Sequence, residues 1–199
     1  MKQISPSKIV CVGRNYAKHA AELGGEVPDE PLIFFKPPSS LIGEGEPIVM
    51  PPISKRVDFE GEIGVLIGKR ARKVSASEGW SYVEALVPVN DVTARDLQNI
   101  DDQWARAKGF DTFCAVGVPV PLKQIDRSSL AVVTRVNGII KQEGDAADMV
   151  FDIPTIIEYI SSIMTLEPGD LVATGTPDGV APLKDGDVVE IEVAGVGSV

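Results

Sequence analysis

The chain carries one histidine and two cysteines in 199 residues. With His19 alone there is no H-E-x-x-H zinc helix, and Cys11 and Cys114 form no C-x-x-C pair. Two cysteines are too few for a disulfide framework and fit a reducing cytoplasm. Basic residues are in deficit, 19 against 29 acidic ones, for a formal charge of −10. That excess argues against a nucleic-acid partner, whose phosphates call for a basic patch. No run of about 18 apolar residues exists and the N-terminus has no apolar signal region, so no membrane association is expected. G-x-G-x-x-G, P-loop and G-x-S-x-G motifs are missing too, which leaves nucleotide cofactors and serine or thiol catalysis without support. There is no internal repeat and no low-complexity segment.

What remains is an ordinary globular composition, 44% hydrophobic and 24% charged, long enough for one domain over residues 1–199. Lys8–Gly13, Leu32–Lys36 and Ala85–Val92 read as strands, with turns at Pro37-Pro38, Gly43, Gly45 and Pro47. Ile48–Met50 reads as a further apolar segment between turns. Arg14–Leu23 reads as a short helix capped by Asn15 and stopped by Gly24-Gly25. Ala76–Val83 reads as a short helix, and Asn99–Gly109 as an exposed polar segment. Val132–Lys141 reads as a hairpin with a type I′ turn at Asn137-Gly138. The clearest helix signal follows: Asp152 as cap, Pro154 in the first turn, and an apolar face of Ile153, Ile156, Ile157, Ile160, Ile163 and Met164, with Glu158 and Ser161 outside. Strands outnumber helices and most neighbours can pair antiparallel. The expected class is therefore α+β, a β-rich domain with few short helices.

The stretch Val57–Gly68 carries the chemistry. As a strand it puts Asp58, Glu60 and Glu62 on one face. Like charges crowded there repel, so the face is either solvated or holds a cation. Carboxylates without His or Cys are hard oxygen ligands, which selects Mg²⁺, Mn²⁺ or Ca²⁺. His19 and Glu22 lie three apart on one helix face, where the carboxylate can orient the imidazole.

Several segments together resemble the fumarylacetoacetate hydrolase family. They are Gly13-Arg14-Asn15-Tyr16-Ala17-Lys18-His19, Asp58-Phe59-Glu60-Gly61-Glu62, Asn90-Asp91-Val92-Thr93-Ala94-Arg95-Asp96, Ala107-Lys108-Gly109-Phe110-Asp111, Val136-Asn137-Gly138 and Thr174-Gly175-Thr176-Pro177. They span nearly the whole chain in the family's order. The resemblance implies a β-rich roll with Mg²⁺ or Mn²⁺ on Glu60, Glu62 and Asp91, leaving Asp58 as a neighbour. It implies an active-site Lys108, a catalytic His19–Glu22 pair on a lid, and Thr176 holding the substrate carboxylate. Arg14, Arg95 and Gln98 match residues that face the substrate. It also implies a homodimer. The length resembles the branch of acylpyruvases and oxaloacetate decarboxylases. The reaction implied is metal-dependent hydrolysis of a C–C bond in acylpyruvate-type 2,4-dioxo acids through a metal-held pyruvate enolate. Decarboxylation of oxaloacetate, or isomerisation of 2-hydroxyhepta-2,4-diene-1,7-dioate, uses the same enolate. A non-catalytic metal-binding module is the reading from another class.

Overall fold

The computed structural model describes residues 4–22 and 24–199. Met1–Gln3 and Leu23, the expected end of the first helix, lie outside the described residues. Strands β1 (Ile9–Gly13), β2 (Leu32–Lys36) and β3 (Leu41–Ile42) come first. The acidic stretch follows as β4 (Val57–Asp58) and β5 (Gly61–Ile67), then β6 (Val83–Asp91), β7 (Thr93–Ala94), β8 (Cys114–Val116) and β9 (Val120–Pro121). The chain continues through β10 (Ala131–Val136), β11 (Ile139–Asp145), β12 (Leu171–Ala173), β13 (Val189–Val193) and β14 (Gly197–Ser198). Among the described residues four α-helices are interspersed: α1 (Ala17–Glu22), α2 (Arg95–Gln98), α3 (Ala105–Lys108) and α4 (Ile153–Ile163).

The main sheet has eight strands, ordered β2-β1-β12-β5-β6-β8-β3, with β9 on β6. Most of its pairs are antiparallel, but β1–β12 and β3–β8 are parallel, so the sheet is mixed. A second sheet runs β11-β10-β13-β14. The side-chain alternation of a strand decides how the main sheet is filled. Val10, Val12, Ile63, Val65 and Val172 face α4 and the second sheet, meeting Ile156, Ile157, Ile160, Val132 and Ile191. Ile9, Cys11, Leu66, Leu171 and Ala173 pack on the other face with Val87, Val89 and Cys114. Both faces are covered, which is why these strands read as unbroken apolar runs. The expected α+β, β-rich architecture with few short helices is what the chain adopts.

Local signals behave as their chemistry dictates, with instructive exceptions. Asn137 and Gly138 both have positive φ, 52° and 77°, as a type I′ turn requires. Asp152 Oδ1 accepts from the Thr155 N–H at 2.9 Å and caps α4. Burying Ile156, Ile157 and Ile160 contributes roughly 1.5–3 kcal/mol each. Ser161, expected outside, is buried, because its hydroxyl accepts the Val74 N–H at 3.0 Å. Ile163, expected on the apolar face, is 56% exposed at the end of α4. Asn15 does not cap a helix. Its amide donates to Phe151 O (3.0 Å) and Thr174 O (2.8 Å), and its oxygen accepts from Phe151 N (2.8 Å). The chain needs that clamp more than a cap, since Arg14 before it is left-handed (φ 57°) and α1 begins only at Ala17. Ala76–Tyr82 winds as a 3₁₀ helix rather than an α-helix, and Ile48–Met50 joins no strand.

Candidate active site

The acidic stretch is not one continuous strand. At Glu60 the ladder is broken, because Asn90 Oδ1 takes the Glu60 N–H (3.0 Å) while the Asp91 N–H donates to Glu60 O (2.8 Å). Asp58 falls on β4 and pairs with Thr93 of β7, outside the main sheet. Glu60 and Glu62 remain together at the head of β5, opposite Asp91 at the end of β6. Carboxylate oxygens of Glu60, Glu62 and Asp91 lie within 4.8 Å of one another, and all three residues are buried. Gly61 between them is there for space. A Cβ would come within 2.0 Å of Thr134 Oγ1 on the second sheet.

Cations surround two of the three carboxylates. Lys108, on α3, donates to Glu60 Oε2 and Asp91 Oδ2, both at 2.7 Å. Arg95, on α2, reaches Glu60 Oε1 (2.5 Å) and Asp58 Oδ2 (2.9 Å), and its other nitrogen donates to Gln98 Oε1 (2.6 Å). Lys36, at the end of β2, donates to Asp91 Oδ1 (2.6 Å) and Val92 O (3.0 Å). Among the described residues, Glu62 accepts one hydrogen bond, from the Gly175 N–H at 2.8 Å. The electrostatics follow these contacts. Burial pushes Glu60 up, but Lys108 and Arg95 outweigh it and hold its carboxyl well below the usual range. Burial and then the charges of Asp91 and Glu60 push Glu62 well above its ordinary value. Burial opposes the Lys108 charge, yet Asp91 and Glu60 prevail and raise its pKa. Burial also raises both thiols, that of Cys114 to about 12, so neither is a nucleophile at neutral pH.

The helix α1 brings the single histidine to the same place. His19 is buried, and its Nδ1 lies 3.3 Å from Glu22 Oε2. Glu22 is itself held by the Gly179 N–H at 3.1 Å. Thr176 Oγ1 donates to Gly61 O (2.9 Å) and accepts from Gln142 Nε2 (2.7 Å). A cavity of about 230 Å³ joins these groups. Arg14, His19, Arg95, Gln98, Lys108 and Thr176 line it together with the three carboxylates. Glu22 stands behind His19 rather than on the wall.

Four contributors are invisible in the sequence reading. Lys36 looks like the polar exit of an apolar strand, yet its side chain is fully buried. Gln142 lies mid-strand in a polar run, yet it is buried and joins Thr176, the Gly61 N–H and Pro177 O. Phe34 and Trp104 form a wall, with rings edge-on at 5.3 Å and the Lys108 ammonium 4.8 Å from the Phe34 centroid. Only the period-two placement of Phe34 and Lys36 on β2 hints at a shared face. The segment 99–109, expected to be exposed, instead folds Ala107 and Lys108 inward on α3.

A mixed β-roll with buried carboxylates, a lysine and a histidine around one cavity defines a class of acid–base, cation-ready site. Residues 8–199 match the family model described as fumarylacetoacetate (FAA) hydrolase C-terminal, and the chain belongs to this family. It is 45% identical to the mitochondrial oxaloacetate decarboxylase of Dictyostelium discoideum, over 95% of this chain and 87% of that protein. The 2-hydroxyhepta-2,4-diene-1,7-dioate isomerase of Mycobacterium marinum superposes with a TM-score of 0.89 at 43% identity, over 98% of this chain and 73% of that one. The fumarylpyruvate hydrolase of Pseudomonas aeruginosa, solved with Mn²⁺ and pyruvate, gives a TM-score of 0.91 at 28% identity, over 99% and 89%. Among the described residues, no helix is long and apolar enough to cross a membrane.

Proposed function

We propose that this protein is a divalent-metal-dependent hydrolase that cleaves the C–C bond of short acylpyruvates and related 2,4-dioxo acids. The observation that carries the reading is the meeting of His19, backed by Glu22, with Glu60, Glu62, Asp91 and Lys108 on one small cavity. The donor set fits Mg²⁺ or Mn²⁺: three hard carboxylates converge, and Glu62 has no cation in contact among the described residues. Glu60, Glu62 and Asp91 would hold the ion, which supplies Lewis acidity and charge neutralisation when bound. The Mn²⁺ and pyruvate named for the Pseudomonas hydrolase support the same assignment.

The chain's own groups divide the work. Glu22 fixes the imidazole through Nδ1, which leaves Nε2 as the free base. Nε2 removes a proton from water as its oxygen bonds to the distal carbonyl carbon. The bond between that carbon and its neighbour then breaks, and the electron pair moves toward the 2-oxo oxygen. The Lys108 ammonium lines the cavity and would meet that developing charge, a contact commonly worth a few kcal/mol. Protonation of the released carbanion carbon gives pyruvate, and the acyl part leaves as a carboxylic acid. To hold the substrate carboxylate, Thr176 would turn its hydroxyl proton from Gly61 O toward the cavity while Gln142 keeps donating to its oxygen. The cavity volume of about 230 Å³ limits the substrate to small acids.

Oxaloacetate decarboxylation is the second reading, favoured by the 45% identical Dictyostelium decarboxylase. It uses the same electron sink and needs no water. A structural cation site would need neither Lys108 nor His19. Pyruvate release from acylpyruvates, oxaloacetate and hydroxymuconate-type acids tests the reading, with fastest turnover expected on an acylpyruvate. Absence of turnover on every 2-oxo acid would overturn it.

A further inference from the structure

We infer that Gln142 is a positioning residue of the reaction, acting through the Thr176 hydroxyl that it holds from behind the cavity wall. The inference rests on the hydrolase reading above, in which Thr176 meets the substrate carboxylate. Thr176 lines the cavity, whereas Gln142 is buried behind it on β11. The Gln142 amide has no freedom to turn. Its Oε1 accepts from the Gly61 N–H (3.0 Å), which can only donate. Its Nε2 donates to Pro177 O (2.8 Å), which can only accept. A flipped amide would face both partners with the wrong group. Nε2 therefore always presents a proton to Thr176 Oγ1, at 2.7 Å. With its oxygen pinned from that side, the Thr176 hydroxyl sends its proton to Gly61 O (2.9 Å) or into the cavity. Donation from Gln142 also polarises the hydroxyl, which makes it a stronger donor to an arriving carboxylate.

The surrounding backbone is fitted to this contact. Gln142 and Gly144 share one face of β11, alternating with the exposed Lys141 and Glu143. A Cβ on Gly144 would lie 2.7 Å from Pro177 Cβ, and one on Gly179 would lie 2.1 Å from Lys141 O. The loop that carries Thr176 is thus pressed against β11 on both sides of Gln142. The carboxylates of the site have holders of their own. Asn90 takes the Glu60 N–H, Lys108 and Arg95 hold the Glu60 carboxylate, and Lys36 and Lys108 hold that of Asp91. Glu62 is met by the Gly175 N–H. Thr176, by contrast, has Gln142 as its one side-chain partner among the described residues. The work of Gln142 therefore falls on the substrate rather than on the metal, as expected of a residue that locks the rotamer of one touching the ligand.

The test is a double-mutant cycle read by calorimetric titration. Pyruvate is titrated into Mn²⁺-loaded protein, and Mn²⁺ into metal-free protein, for wild type, Gln142→Met, Thr176→Val and the double variant. Gln142→Met and Thr176→Val are each expected to weaken pyruvate binding roughly tenfold, the usual loss for a hydrogen bond to a charged group. The double variant is expected to bind within about twofold of the weaker single one, because the two side chains act as one unit. Thr176→Ser, which keeps the hydroxyl, retains most of the affinity. The Mn²⁺ Kd is expected to stay within about threefold throughout, and in turnover KM rises more than kcat falls. If Gln142→Met does not fold, Gln142→Asn, whose amide stops one methylene short of its partners, takes its place with the same expectation. An unchanged pyruvate Kd in the folded Gln142 variant overturns the inference. Losses that multiply in the double variant overturn it too, since Gln142 would then act by a route other than Thr176. A Mn²⁺ Kd weakened as far as that of pyruvate assigns Gln142 to the carboxylates instead and overturns it as well. Wild type that neither binds pyruvate nor turns over an acylpyruvate removes the hydrolase reading, and this inference with it.

Discussion

Replacing Lys36 by Met removes a charge while keeping an unbranched side chain in its place. The Lys36 side chain is fully buried, and its ammonium holds Asp91 Oδ1 at 2.6 Å and Val92 O at 3.0 Å. No other described residue donates a hydrogen bond to that oxygen of Asp91. Breaking a buried pair by removing one partner costs about 3–5 kcal/mol. For a domain of this size each kcal/mol moves Tm by about 2–4 °C. In EDTA, Lys36→Met is therefore expected to melt on the order of 10 °C below wild type. Mn²⁺ should behave in the opposite sense. An Asp91 that has lost Lys36 is less neutralised and attracts a divalent ion more strongly, and the ion restores part of the missing charge. A tenfold tighter Kd adds about 1.4 kcal/mol of metal-dependent stability. The gap between the EDTA and Mn²⁺ melting temperatures should widen. Scanning calorimetry with and without EDTA, with Mn²⁺ affinity from electron paramagnetic resonance, reads both quantities. An unchanged Tm in EDTA, or a narrowed gap, would refute the view that Lys36 is, beside Lys108, a standing counter-ion of Asp91.

Glu60→Gln and Glu62→Gln should both abolish Mn²⁺ binding and turnover. Only Glu60→Gln should lower the metal-free Tm, because Glu60 is bound by Lys108 and Arg95 whereas Glu62 meets one backbone N–H; equal metal-free stabilities would contradict this. His19→Ala and Glu22→Ala should slow acylpyruvate hydrolysis by about 10²–10⁴ and oxaloacetate decarboxylation much less, since only the first needs an attacking water. Equal losses in both reactions would exclude a water-activating pair. Away from the site, burial pushes the Asp170 carboxyl up, but hydrogen bonds from Lys8, Ser7 and the Glu167 N–H hold it below its ordinary value. A lowered folded pKa means stability that is present above the unfolded value near 4 and lost as pH falls through the folded one. Asp170→Asn should lower Tm at pH 7 and flatten its decline below about pH 4, and an unchanged decline would rule out that linkage.

Period-two alternation made Glu60 and Glu62 legible as a pair, and the Asp152 cap and Asn137-Gly138 turn are local chemistry that sequence states directly. The β-rich class followed from counting strands. The break at Glu60 was not legible, because it depends on Asn90 thirty residues later taking an amide that a ladder would otherwise use. Lys36 and Gln142 were missed for a related reason. A charged or polar residue inside a strand reads as solvent-facing until its partners, here Asp91 and Thr176, arrive from distant segments. Ser161 follows the same logic at smaller scale, since its burial is compensated by the Val74 N–H on another element.

The placing of β12 sets a timetable for making this molecule. In the finished sheet it lies between β1 and β5, parallel to one and antiparallel to the other. Leu171 follows Ile67 by about a hundred residues, which a ribosome adds in roughly 5–20 s. Throughout that interval two half-sheets stand side by side without their keystone, each showing an unpaired apolar edge of the kind that recruits other chains. Thr174, Gly175 and Thr176 come directly after the keystone, so the stretch that contacts Asn15, Glu62 and Gln142 is delivered in the same late event. The ribosome thus finishes the wall of the cavity only as it closes the sheet. Nascent chains that stall before this point are left with sticky edges and an unfinished cavity, which makes them clients for a chaperone.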